Sequence, residues 1–174
     1  MLSGASTATV TPAKSSQPFA LQKASCTAVT VTAVKDAFGL ANGRELLAGA
    51  SVAVDALDSI SYRLELAEVS SRMGIPMVHG AIGGWYGHVA TQFPGEETVQ
   101  GIYRHWVAGK GIEQQLGNPS FTPAVVASLQ VAEVCKIVLN KGELLRNRKL
   151  SIDLQEMEVH EIPYGMQLEL VQAA

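Results

Sequence analysis

Along the first half of the chain, the apolar positions change from a period of two to a helical period. Residues Thr27 to Val34 alternate as TAVTVTAV, which predicts a strand. The stretch Val52 to Ala56 is apolar except for Asp55, which is typical of a strand buried in a parallel sheet. From Ser59 to Met73 the apolar residues repeat at helical spacing, and Gly74 follows as a helix end. This order of elements predicts an α/β fold.

The second half of the chain predicts a hairpin, an irregular connection, a long helix and two closing strands. Two β-patterned segments flank the run GAIGGWYG, Gly80 to Gly87, which is neither G-x-G-x-x-G nor a P-loop and is interpreted as a turn. The stretch from Phe93 to Pro119 has no steady period and is long enough for a lid, a binding loop or a disordered segment. A helix is predicted from Thr122 to about Leu139, and the alternating run KLSIDLQEMEVHEIPY predicts two short strands.

The composition indicates one globular domain preceded by a tail. The chain has 174 residues, of which 47% are hydrophobic, and this is enough for one sizeable core. Residues 1–26 are rich in Ser, Thr and Pro and have the pattern of neither a secretory signal nor a transit peptide. We therefore expect a polar, disordered tail over 1–26, a domain over 27–174 and a cytoplasmic location.

The charge pattern argues against nucleic acid and membrane as partners. The formal net charge is −3, and the cluster of cations between Lys141 and Lys149 is interpreted as a solvated helix end. A nucleic acid or an anionic membrane would select a concentrated basic face. Since no apolar run approaches the roughly 20 residues of a membrane span, we expect neither partner.

Neither the cysteines nor the histidines form a recognisable metal or redox motif. Cys26 and Cys135 are far apart and belong to no CxxC pair, so no zinc site is expected. His79 and His88 flank the Gly-rich run without further spaced ligands, which favours buried or hydrogen-bonded histidines over metal ligands. His105 lies in the run YRHW, where contact with a partner and anchoring of the loop are both open interpretations.

Two carboxylates, Asp55 and Asp58, lie where the apolar strand ends and the next helix begins. The carboxyl ends of strands in open α/β sheets are the usual place of ligand sites. Asp58 is therefore either a ligand of a hard divalent cation, which prefers carboxylate oxygens, or the N-cap of the helix, a position that Ser59 could also take. Asp55 is interpreted as a structural residue that packs or accepts backbone hydrogen bonds.

Four segments in order closely resemble the HesA/MoeB/ThiF family of ubiquitin-activating-type adenylyltransferases. They are VAVDALDSISYRLEL, GIPMVHGAIGGWYGHVATQFPG, NPSFTPAVVASLQVAEVCKIVL and LSIDLQEMEVHEIPY, and the resemblance covers about Thr27 to Tyr164. It implies a Rossmann-like, mostly parallel sheet with antiparallel C-terminal strands. It also implies a homodimeric enzyme that uses ATP and Mg²⁺ to adenylate the C-terminal glycine of a small ubiquitin-like protein, often a sulfur carrier.

The resemblance assigns roles to residues after the apolar strand. The second Asp of the family motif reaches the magnesium and the phosphates of ATP, and Asp58 matches it, so the resemblance favours the ligand over the helix cap. Ser59 stands where the family usually has Asn, and it could contact the nucleotide through its backbone. Arg63 matches the arginine of the motif, and structural pairing is favoured over substrate contact.

The chain departs from the family pattern in two places. Residues 89–127 contain no cysteine, whereas members that pass their substrate to a cysteine carry it there. The Gly-rich turn and the Arg and Lys residues that grip the phosphates are not found ahead of Thr27, so we expect a sheet truncated at its N-terminal strands. Three hypotheses follow: an adenylyltransferase with an incomplete nucleotide site, a non-catalytic relative that binds or dimerises, and an unrelated Rossmann-like fragment, which the lack of a dinucleotide fingerprint disfavours.

Overall fold

The computed structural model describes residues 7–10, 30–104, 117 and 119–164. The strands in these ranges are β1 (Thr7–Val10), β2 (Thr30–Ala33), β3 (Ala53–Val54), β4 (Met77–Gly83), β5 (Tyr86–Gln92), β6 (Arg148–Asp153) and β7 (Glu158–Pro163). The helices are α1 (Gly43–Leu46), α2 (Ile60–Arg72), α3 (Thr98–Ile102) and α4 (Phe121–Leu139).

The main sheet has five strands in the order β3-β4-β5-β6-β7. β3 and β4 are parallel, and the three following pairs, from β4 to β7, are antiparallel. The α/β class with antiparallel C-terminal strands is therefore confirmed. Among the described strands, parallel pairing occurs only between β3 and β4 and within the separate pair β1-β2.

The predicted polar tail over 1–26 differs from the structure at β1. This strand pairs in parallel with β2, with Thr7 opposite Thr30 and Val10 opposite Ala33. A strand of four residues shows little periodicity of its own, and its hydrogen bonds come from a partner far along the chain. The other residues of the predicted tail lie outside the described ranges.

Two hydrophobic clusters pack on opposite faces of the main sheet. Successive residues of a strand point to opposite faces, so Met77 and Val78 of β4 belong to different clusters. The first cluster lies under α1, α2 and α3 and contains Phe38, Ala53, Leu66, Ala67, Val69, Ile75, Met77 and Val99. The second lies under α4 and contains Val78, Val89, Val126, Leu145 and Ile152. The sheet is thus the middle layer of an α/β/α arrangement.

Helix α4 is apolar on the side that packs on the sheet and also on its exposed side. Over its 19 residues it is long and apolar enough to cross a membrane by length and composition, a test that core helices of soluble proteins also pass. The expectation that no segment approaches such a span is therefore corrected, because Glu133 and Lys136 interrupt the apolar run without ending the helix. Gln130 and Glu133 are buried against the sheet, so one side of α4 packs on the domain, while 22% of its apolar window is buried in all. The absence of a membrane partner stays a prediction.

The connection predicted from Phe93 to Pro119 contains a short helix, α3. The side-chain oxygen of Gln92 accepts a hydrogen bond from the Val99 N–H at 2.8 Å, so a buried side chain satisfies the start of this helix. A helix of five residues is too short to show a period in the sequence. Residues 105–116 and 118 of the connection lie outside the described ranges.

The run GAIGGWYG forms the hairpin between β4 and β5, as predicted. Gly83 pairs with Tyr86, which leaves Gly84 and Trp85 as the turn. Gly84 has a φ of 60°, a conformation that glycine adopts at no steric cost. No helix follows the turn, so the run has the geometry of a β-hairpin and not of a phosphate-binding loop.

Candidate nucleotide and metal site

A short loop between β3 and α2 carries Asp58. This residue is exposed and makes no hydrogen bond to another described residue. Ser59, and not Asp58, is the N-cap of α2, and its hydroxyl lies 2.7 Å from that of Ser61 without capping the helix. The helix-cap interpretation of Asp58 is therefore wrong, and its carboxylate is free to meet a ligand.

The start of α2 offers hydrogen-bond donors next to this carboxylate. Because the Ser59 side chain makes no capping hydrogen bond, the backbone N–H groups of the first turn have no partner from the N-cap. Such groups, together with the positive end of the helix dipole, attract anions such as phosphate. A carboxylate oxygen beside them suits a hard divalent cation. The donor set fits a phosphate and Mg²⁺ side by side.

Asp55 is fully buried, and its hydrogen bonds hold the loop that carries Asp58. One carboxylate oxygen accepts the Leu57 N–H at 2.9 Å, and the other lies 2.5 Å from Nδ1 of His79. Its backbone carbonyl accepts Nε2 of Gln130 at 2.7 Å. The structural interpretation of Asp55 is confirmed. Its pairing with His79 follows from the register of the parallel strands β3 and β4. Val54 lies opposite Val78, so the residues that follow them, Asp55 and His79, are neighbours.

Arg63, in the first turns of α2, is buried and pairs with the protein itself. Its Nε and Nη2 atoms donate to the Leu57 carbonyl at 2.9 and 2.6 Å. Its Nη1 atom donates to the Tyr103 hydroxyl at 2.8 Å. The structural interpretation of Arg63 is therefore confirmed.

His79 and His88 are hydrogen-bonded, as predicted, and their imidazole rings contact each other. Nε2 of His79 lies 3.1 Å from Nε2 of His88 and 3.2 Å from the Tyr103 hydroxyl. Burial lowers the pKa of His79 below 6.5 although the hydrogen bond and charge of Asp55 oppose the shift. Burial also holds the pKa of His88 well below 6.5, and the neighbouring His79 adds to the effect. Both imidazoles are therefore neutral at pH 7.

Comparison with known proteins agrees with this architecture. The ThiF family matches residues 6–169. This chain belongs to the ThiF family. The match begins before Thr27, where the sequence motifs begin, so the resemblance to the family extends into the segment predicted as a tail.

Individual relatives of this ThiF-family chain are longer than it is. It is 30% identical to the SAMP-activating enzyme E1 of Haloferax volcanii over 138 residues. This alignment covers 78% of the chain and 51% of that protein. The structure of E. coli MccB with ATP has a TM-score of 0.60 at 16% identity and covers 79% of the chain and 44% of MccB. The structure of PaaA has a TM-score of 0.59 at 13% identity and covers 79% of the chain and 50% of PaaA. These structural similarities show the fold, and the chain spans about half the length of the relatives it matches.

In the loop between β3 and α2, the Asp58 carboxylate makes no hydrogen bond to another described residue. Among the described residues, no three His, Cys, Asp or Glu side chains are grouped so that they could hold a metal ion. Mg²⁺ needs only one or two carboxylates when substrate phosphates and water complete its shell. Asp58 alone therefore suffices for the magnesium role that the family resemblance implies.

The sequence singled out most of the residues that the structure brings together. Asp55, Arg63 and His79 meet beneath the loop that carries Asp58. Tyr103, at the end of α3, joins them; it belongs to the run YRHW, for which contact with a partner and anchoring of the loop were both open, and its contacts with Arg63 and His79 agree with anchoring. The sequence did not indicate which residues Tyr103 would contact, because it reaches His79 only through the packing of α3. His105 and Cys26 lie outside the described residues, and Cys135 is an exposed thiol on α4.

Proposed function

We propose that this ThiF-family chain takes part in the ATP-dependent activation of the C-terminus of a small ubiquitin-like protein, such as a sulfur carrier. The observation that supports this most directly is the exposed Asp58, which bonds to no other described residue, beside the uncapped start of α2. The similarity to a SAMP-activating enzyme E1 supports a small protein substrate.

In the proposed reaction, ATP is a substrate and the C-terminal carboxylate of the small protein is the nucleophile. A carboxylate oxygen forms a bond to the α-phosphorus, and the bond from that phosphorus to pyrophosphate breaks. Mg²⁺ neutralises phosphate charge when it is bound, and Asp58 would supply one of its oxygen ligands. Ser59 and the first turn of α2 would donate backbone N–H groups to phosphate oxygens.

The proposed reaction ends at the acyl-adenylate. Residues 89–127 contain no cysteine, and the described thiol, Cys135, is exposed on α4. We therefore expect no thioester and no zinc. Thiol trapping and elemental analysis check this expectation. A stoichiometric zinc, or a reductant-sensitive conjugate mapped to Cys26 or Cys135, would contradict it.

Calorimetry of Mg-ATP binding tests the role of Asp58. We expect Asp58→Ala to weaken binding about tenfold or more, because a charge-assisted contact of about 1.5–3 kcal/mol is lost. Glu156→Ala, at an exposed carboxylate in the turn between β6 and β7, is the matched control and should bind as the wild type does. Equal affinities of the wild type and Asp58→Ala would overturn the metal-ligand role. ATP-pyrophosphate exchange with and without a sulfur carrier protein then tests the reaction.

A second candidate function, as a binding or dimerisation module, is favoured by the outer face of α4. Val131, Val138 and Leu139 are each more than 60% exposed there. These positions share one side of the helix, and an exposed apolar side of this kind is typical of an interface. We propose that this face, which we call the α4 outer face, joins two copies of the chain. If the chain is such a module, it would have the α4 outer face as its interface and would show no ATP-pyrophosphate exchange activity.

A further inference from the structure

A closed ring of hydrogen bonds surrounds the residue that precedes Asp58. The Leu57 N–H donates to Asp55, and the Leu57 carbonyl accepts two hydrogen bonds from Arg63. Arg63 also donates to the Tyr103 hydroxyl, which lies within hydrogen-bond distance of His79. His79 in turn is hydrogen-bonded to Asp55, which closes the ring. We call these five residues the Asp55–His79 ring. It joins β4, α2, the end of α3 and the loop after β3.

The donors and acceptors of the ring are consistent in one protonation state. A carboxylate only accepts, so Nδ1 of His79 carries the proton and donates it to Asp55. Nε2 of the neutral imidazole then has a lone pair that accepts the Tyr103 O–H. The hydroxyl oxygen accepts the N–H of Arg63 at 2.8 Å. Every link of the ring is therefore satisfied when His79 is neutral.

Among the described residues, Leu57 is where side chains of the ring hold the backbone of the Asp58 loop. Both its N–H and its carbonyl are held by buried side chains, whereas Asp58 itself bonds to no other described residue. The position of the Asp58 backbone, from which the carboxylate extends, is therefore set by the peptide groups on either side of Leu57.

We propose that Asp55 and His79 are positioning residues that hold Leu57, and through it Asp58, in the orientation that the metal and nucleotide require. The inference rests on the proposed function for the role of Asp58, and on the geometry of the ring for the role of Asp55 and His79. Buried, satisfied networks of this kind rigidify the backbone that they touch.

Protonation of His79 weakens this link of the ring, because an Nε2–H no longer accepts the Tyr103 O–H and can only donate to a hydroxyl oxygen that already accepts from Arg63. The groups that face His79 are Asp55 after β3, Arg63 on α2, Tyr103 after α3, His88 on β5 and Lys149 on β6. Asp55 favours the protonated form, while the cations Arg63 and Lys149 disfavour it. The loop that carries Asp58 should therefore loosen in acid.

Amide hydrogen exchange on the full chain tests whether the ring holds the loop. Tyr103→Phe removes one hydroxyl, and we expect the Leu57 amide to exchange about tenfold faster, with amides of α4 and β5 unchanged. Tyr86→Phe, at an exposed tyrosine of β5, is the matched control and should leave Leu57 unchanged. Unchanged exchange at Leu57 in Tyr103→Phe, or an equal rise in α4, would overturn the inference.

The pH profile separates positioning from general stability. Between pH 8 and pH 5, the Leu57 amide of the wild type should lose protection as the pH falls, after correction for intrinsic exchange. In His79→Gln this pH dependence should be clearly weaker, because the side chain has no proton to gain in that range. The same pH profile in both proteins would overturn the assignment of His79.

Nucleotide binding links the ring to the site. We expect Tyr103→Phe to weaken Mg-ATP binding severalfold at pH 7.5 when Asp58→Ala weakens it tenfold or more. If Asp58→Ala binds weakly and Tyr103→Phe binds as the wild type does, the positioning inference fails and the proposed function stands. If Asp58→Ala binds as the wild type does, the metal-ligand role of Asp58 fails, and its positioning by the ring fails with it even if the exchange data show a rigid loop; the proposed reaction itself is tested separately by ATP-pyrophosphate exchange.

Discussion

His79 and His88 meet through their Nε2 atoms, 3.1 Å apart, across the β4–β5 hairpin. In the register of the hairpin, Ala90 lies opposite His79 and Ala81 lies opposite His88, so the two imidazoles are diagonal neighbours on one face of the sheet. Two imidazolium ions at this distance would repel each other in a buried site. The pair is therefore stable only when at most one ring is charged.

We expect the free energy of unfolding to fall as the pH drops below about 6.5. Burial lowers the pKa of His79 and of His88 in the folded protein, so the unfolded chain binds more protons in the range between the folded pKa and 6.5. Stability is then lost with falling pH at up to about 1.4 kcal/mol per pH unit for each histidine that stays neutral. Urea denaturation between pH 7.5 and pH 5 measures this slope.

The matched variants for that measurement are His88→Gln and His160→Gln. His88→Gln should flatten the pH dependence, whereas His160→Gln, at a histidine of β7 whose side chain is 65% exposed, should leave it unchanged. A pH dependence that is the same in all three proteins would contradict the assignment.

Gly80→Ala should destabilise the fold by about 1–3 kcal/mol, the usual cost of overpacking. A Cβ atom at this position would lie 2.5 Å from the side chain of Gln130, which is buried and holds the Asp55 carbonyl. Gly101→Ala is the matched control, because its Cβ would lie 3.5 Å or more from the Tyr164 ring in ordinary contact. Chemical denaturation compares the two. Equal stabilities would show that Gln130 moves aside without cost.

Glu133→Ala should cost about 2–4 kcal/mol of stability, because it leaves buried donors without an acceptor. One carboxylate oxygen of Glu133 accepts the Thr91 hydroxyl at 2.6 Å and the Leu145 N–H at 2.9 Å, and Lys136 pairs with the other. Glu143→Ala, at a carboxylate whose side chain is 92% exposed, should change stability by less than about 0.5 kcal/mol. A loss for Glu133→Ala no larger than that of this control would argue against the anchoring role.

Val138→Lys on the α4 outer face should shift the chain from dimer to monomer if that face joins two copies. The side chain is 66% exposed, so a lysine costs little in the folded monomer but places a charge in an apolar interface. Val159→Lys on β7, at 57% exposure, is the control and should leave the mass unchanged. Sedimentation velocity reports both. A wild type that is monomeric at high concentration would sink the dimer proposal.

The periodic segments of the chain were predictable because their signals are local. The helix predicted over Ser59 to Met73 is α2, Ile60–Arg72, and the helix predicted from Thr122 to Leu139 is α4, Phe121–Leu139. Each repeats apolar positions over several turns, and each ends at a residue with a left-handed preference or conformation, Gly74 or Asn140.

The short elements were not predictable from their own residues. β1 and α3 have four and five residues, too few for a period to appear. They form because of partners elsewhere, β2 for the strand and the Gln92 side chain for the helix. Because neither element shows a period in the sequence, β1 was predicted as part of a tail and α3 as part of an irregular connection.

The sequence by itself determined the α/β class, the main helices, the hairpin and the presence of Asp58 at the end of a strand, since each depends on neighbouring residues. Only the tertiary structure decided that Asp55 meets His79, 24 residues later, and that Tyr103 and Arg63 close the ring. Those contacts depend on the register of β3 against β4 and on the docking of α3, which are set by packing between distant segments. The residue types were visible in the chain, but their shared site was created by the fold.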